Sequence, residues 1–156
     1  MNRTVLLAIA AVVLVALGAF GVERWHVTDE ERVEMAYDAL RAAVEAEDGD
    51  ALDMLLTADF SWSGPRPIHS GERDGIVPAF ERFWSQADGI GVLPRGSKEI
   101  TVAGGIATMN TPQVVRWKMG EQFIAYKVTA KLTFDRVGEG FVLAQIEVTE
   151  LKPGLL

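Results

Sequence analysis

The sequence predicts an α+β domain behind an N-terminal transmembrane helix. Three observations predict it. Val5 to Val22 form an 18-residue run without a charge. From Thr28 to Ala87 the apolar residues recur mostly at three- and four-residue steps, the period of a helix. After Gly89 the period becomes two and stays there, as in a series of antiparallel strands.

The apolar run, "VLLAIAAVVLVALGAFGV", would be roughly 27 Å long as a helix, close to the ~30 Å hydrocarbon core. Glu23 and Arg24 end it, and Trp25 stands where an interfacial aromatic would. A cleaved signal is the alternative, with Ala16-Leu17-Gly18 or Ala19-Phe20-Gly21 as its cleavage site. Such a signal has a shorter apolar region, of about 7–15 residues, so length favours an anchor over residues 1–24. The soluble domain is expected outside the cytoplasm, and secreted if the N-terminus is cleaved.

The rest of the chain suits one domain. All 22 acidic residues and all but Arg3 of the 15 basic ones lie beyond Val22. That acidic balance repels nucleic acid, so none is expected as a partner. The absence of Cys removes disulfides and thiolate chemistry.

The first helix follows Thr28, with Glu31 completing a capping box. Val33, Tyr37, Leu40 and Val44 mark its buried face. Gly49 is expected to end it and Asp50 to cap a short second helix, "ALDMLL". "EDGD" lacks the spaced oxygen ligands of a calcium loop. Phe60 and Trp62 alternate with serines in a short strand, which Pro65 and Pro67 break. A third helix, "GIVPAFERFWSQA", is expected to start from Asp74, with Pro78 in its first turn and Ile76, Phe80, Phe83, Trp84 and Ala87 as its stripe.

Strands follow. Ile100 and Val102 share a face, and Gly104-Gly105 make a turn. Ile106 to Met119 form a strand with a bulge or edge position at Thr111-Pro112. Gly120-Glu121 turn the chain into "QFIAYKVTAKLTF", where Ile124, Tyr126, Val128, Ala130, Leu132 and Phe134 alternate with polar or small residues. "DRVGEG" is a hairpin loop, and "FVLAQIEVTEL" returns as the last strand.

The phrases "AVEAEDGDALDMLLTADFSWSG", "HSGERDGIVPAFERFW", "ITVAGGIATM" and "KLTFDRVGEGFVLAQIEV" occur in an order that resembles the nuclear transport factor 2-like superfamily, over about Thr28 to Leu151. Its members include ketosteroid isomerase and polyketide-cyclase-like proteins. The resemblance implies a cone over residues 28–152, with about three helices packed on a curved antiparallel sheet around an apolar pocket.

Catalysis does not carry over with the fold. The isomerase-like members use a Tyr on the first helix, a general-base Asp after the first strand and a protonated acid on a later strand. The base position falls at Ser63 or Gly64, neither of which is a base. The second acid falls near Leu132, and Tyr37 stands about five residues early. Dehydratase-like members need a His pair with acids, whereas His26 adjoins the membrane and His69 is alone. "GVLPRGSK" has Ser and Lys swapped relative to a phosphate loop, and Ser61, Ser63 and Ser70 lack a nucleophile elbow. His69 and Glu72 are too few for a metal site.

No catalytic residue, metal or cofactor is therefore expected. The residues expected around a pocket are Tyr37, Phe60, Trp62, His69, Phe80, Trp84, Arg116, Trp117 and Tyr126. His69, Tyr37 and Arg116 are expected to orient the polar end of a small apolar ligand. A weak homodimer through Ala125, Lys127, Thr129 and Lys131 is expected as well. The alternatives are an assembly module of a membrane complex and an enzyme with a site around His69.

Overall fold

The computed structural model describes residues 27–66 and 70–154. The expected membrane span and His69 lie outside the described residues. Three helices come early: α1 (Asp29–Glu45), α2 (Gly49–Met54) and α3 (Arg73–Trp84). Strands β1 (Leu56–Ser63) and β2 (Gly71–Glu72) flank the start of α3. Then come β3 (Asp88–Pro94), β4 (Glu99–Ala103), β5 (Ile106–Met119), β6 (Gln122–Val137) and β7 (Gly140–Pro153). The α+β class is as the sequence predicts.

Helix α1 starts on the capping box. Thr28 Oγ1 accepts from the Glu31 N–H at 3.2 Å, and Glu31 Oε2 accepts from the Thr28 N–H at 2.8 Å. The helix ends earlier than Gly49. Glu47 takes a left-handed φ of 57°, and Asp48, not Asp50, caps α2 through a 2.9 Å bond from the Ala51 N–H. The turn is set by an acidic residue able to accept N–H bonds, which leaves Gly49 free to begin the next helix. Helix α3 likewise starts before Asp74. Glu72 is its boundary residue and makes no side-chain cap bond. Pro78 therefore lies beyond the first turn, where its absent N–H removes one helical bond.

The sheet order is β2-β1-β7-β6-β5-β3, with β4 also on β5. Strand β1 runs parallel to β7, and every other neighbour is antiparallel. Register shifts between Thr129 and Ala130 and between Thr133 and Phe134 mark where β6 and β7 curve. No bulge occurs at Thr111-Pro112, because the β5–β6 register is continuous there. Pro112 instead falls where β5 changes partner, after the β4 pairing ends at Asn110 and before the β3 pairing begins at Gln113. Its missing N–H is thus lost in a gap, and its carbonyl accepts from the Arg95 N–H. At the β3 edge, the Val92 N–H donates to Glu45 Oε1 of α1 at 2.7 Å, which blunts an open strand edge.

The core lies between the helices and the inner sheet face. Val33, Met109 and Phe134 are fully buried in it.

Candidate functional site

An apolar cavity of about 200 Å³ opens in the middle of this core. Tyr37, Leu40, Arg41 and Val44 of α1 roof it. Val128, Ala130 and Leu132 of β6 and Gln113 and Val115 of β5 form its floor. Phe60 of β1 and Ile76 and Phe80 of α3 close one side, and Ile146 and Val148 of β7 close another.

The side chains along the floor explain the hollow. On β6 the inward residues shrink from Phe134 to Leu132 to Ala130. Ala130 pairs with Thr111 on β5, so two small residues meet at the centre of the sheet. Both are buried. Space of this size persists only because no larger neighbour collapses into it.

The polar groups gather under α1. The Tyr37 hydroxyl donates to Gln113 Oε1 at 2.8 Å. Burial pushes the Tyr37 phenol above its usual range. The Thr111 hydroxyl stands beside it and counters part of that rise, without the geometry of a regular hydrogen bond. Lys98 lies 5.2 Å from the centre of the Tyr37 ring and 3.5 Å from Glu34 Oε1. Arg41, one turn after Tyr37, keeps its Nε buried with no hydrogen-bond partner among the described residues. Its closest acid is Asp38, at 3.8 Å on the exposed side of the helix.

Tyr37, Phe60 and Phe80 line the cavity, and five other expected residues stand elsewhere. Trp62 stacks on Phe60 with ring centres 6.3 Å apart, and its ring covers the backbone of Gly71 and Gly75. An added Cβ on Gly71 would come within 2.3 Å of that ring. Trp84 packs against Phe80 at 5.4 Å, at the end of α3. Trp117 stacks on Tyr126 at 5.8 Å and takes the edge of Phe83 at 5.2 Å, forming an aromatic cluster near the β5–β6 turn. Arg116 is exposed and lies across Gly91 on β3. Its position follows from strand parity, because Gln113, Val115 and Trp117 share a face and Arg116 takes the other.

Parity and helical spacing also point to the two polar lining residues that the sequence reading missed. Arg41 follows Tyr37 by four residues and so shares its helix face. Gln113 precedes Val115 by two and shares its strand face.

The chain resembles solved structures of the nuclear transport factor 2-like fold. A candidate dehydratase of that family from Streptomyces avermitilis is 19% identical, with a TM-score of 0.68 over 82% of this chain and 98% of that one. A nuclear transport factor 2-like protein with a cystatin-like fold from Novosphingobium aromaticivorans is also 19% identical, with a TM-score of 0.65 over 95% and 89%. A type 2 hexachlorocyclohexane dehydrochlorinase is 10% identical, with a TM-score of 0.68 over 81% and 88%. At these identities the likeness shows the fold. No protein-family model and no curated protein matches the chain.

Proposed function

We propose that this is a membrane-tethered domain that binds a small, largely apolar ligand in its central cavity without converting it chemically. The observation that carries the reading is the hollow itself: a nuclear transport factor 2-like core left open beside Ala130, with Tyr37 of its roof bonded to Gln113 of its floor. Its volume slightly exceeds the ~150 Å³ that accepts a benzene ring, which suits a ligand of one or two rings. Among the described residues its lining includes no Asp, Glu or His to act as a general base. Leu132 lines the floor where the isomerase-like acid would stand.

Tethering rests on the uncharged run from Val5 to Val22. Among the described residues no helix is long and apolar enough to cross a membrane. On this reading the domain faces away from the cytoplasm. The outer sheet face supports weak self-association, with Lys131 paired to Glu147 and Thr129 to Glu150 across β6 and β7.

Native mass spectrometry of the detergent-extracted full-length protein tests these points together. The expected spectrum holds an intact N-terminus, a small bound molecule and a minor dimer. A mature chain starting near Ala19 or Val22 would replace the anchor by a signal peptide. An empty protein in a defined larger oligomer would replace ligand binding by an assembly role.

A further inference from the structure

We infer that the cavity selects an apolar monocarboxylate, with the carboxylate held at Arg41 and Gln113. This rests on the ligand-binding reading above and adds the chemistry of the ligand's polar end. Arg41 is the charged residue among the described lining, and no acid balances it inside the cavity. Its Nε is buried without a hydrogen-bond partner, while its other end lies 3.8 Å from Asp38 on the exposed side of α1. A buried guanidinium N–H without a partner gains from an anion that a small shift of the Arg41 side chain brings within reach.

The neighbouring amide points to the same chemistry. Gln113 Oε1 already accepts the Tyr37 hydroxyl, which leaves the amide nitrogen's two N–H groups and one oxygen lone pair as its remaining polar capacity. This end of the cavity therefore offers donors from Arg41 and Gln113 and fewer acceptors. A carboxylate is all acceptor and carries the complementary charge. An ammonium ligand would meet the Arg41 cation, with only the spare lone pairs of Gln113 and Tyr37 to accept from it. An alcohol would use only part of the donor set. The apolar remainder of the ligand would lie along Val115, Val128, Leu132 and Ile146.

The test uses the full-length chain in nanodiscs of neutral lipid, with cavity methyl groups of Val115, Val128 and Leu132 observed by NMR. Phenylacetate and hexanoate are titrated against 2-phenylethanol and phenethylammonium as size-matched probes. Both carboxylates should shift these methyls with at least tenfold tighter binding than the alcohol, and the ammonium should not bind. The aromatic and aliphatic acids separate a ring ligand from a short acyl chain. In Arg41→Gln the carboxylate advantage should vanish while alcohol binding persists. Alcohol binding as tight as carboxylate binding in the parent protein would overturn the carboxylate assignment and leave the ligand cavity standing. No methyl shift with any probe would overturn both. The parent comparison decides the matter even if Arg41→Gln fails to fold.

Discussion

Two stretches of one strand meet the same helical layer with opposite results. Around Phe134 the core is solid, with Val33, Ala107 and Met109 fully buried beside it. Two to four residues away, Leu132 and Ala130 border a hollow. The sheet and the neighbouring strands are shared; the β6–β7 register shifts once between the two stretches, and side-chain volume falls from Phe134 to Ala130. Several aromatics fill space outside the hollow, namely Phe134, the Trp117–Tyr126–Phe83 cluster and Trp62 over Gly71, while Tyr37, Phe60 and Phe80 border it. Mid-sized aliphatics around a small pair mark where it is open.

The largest expected effect sharpens the contrast directly. Phe134→Ala should destabilise the protein by about 3–5 kcal/mol, because it empties a site with no freedom to relax. Leu132→Ala should cost less, about 2–3 kcal/mol, because its neighbours already border free space. Denaturant midpoints of the two variants check the order. Equal losses would mean that the hollow closes in solution.

The next effect adds a single methyl on the filled side. Gly71→Ala should cost about 1–3 kcal/mol, since the new Cβ would lie 2.3 Å from the Trp62 ring and something must move. Trp62→Leu in the same chain should recover much of that loss. Failure to recover would place the strain in the backbone of β2.

Ala130→Val adds two methyls on the open side and should change stability by less than about 1 kcal/mol, because they enter existing space. The same change should abolish binding of a ligand that needs that space. A penalty as large as that of Gly71→Ala would erase the distinction between the two regions.

Legibility in the sequence followed the range of the interactions. The Thr28–Glu31 capping box joins residues three apart, and the alternation of β6 is local, so both could be read directly. The parallel pairing of β1 with β7 brings Leu56 to Leu143, and nothing local announces it. The cap moved from Asp50 to Asp48 because adjacent acids offer the same chemistry and only the backbone turn chooses between them. The pocket was harder still. Large aromatics suggest pocket walls, yet Trp84 packs tilted against Phe80, and Trp117 and Tyr126 stack on each other. A hollow is made by what is small, and small residues such as Ala130 carry no signal until the strand opposite is known.

Tyr37→Phe is among the smaller expected effects and tests the roof of the open region. It removes one hydroxyl and its 2.8 Å bond to Gln113, which should cost about 1 kcal/mol near neutral pH. Its pH dependence is more specific. Burial raises the folded-state pKa of Tyr37 above the ordinary phenol value of 10.0. Below that ordinary value both states hold the proton, and the full contribution is present. Above it, the unfolded chain loses the proton first, so the parent's stability should fall as pH rises through the folded pKa. Tyr37→Phe has no such proton to lose, so the gap between the variant and the parent should narrow with alkaline pH. A gap that stays constant from neutral to strongly alkaline pH would mean that the phenol is as well solvated when folded as when unfolded. The roof of the cavity would then be open to water, and the contrast with the solid core would reduce to a surface groove.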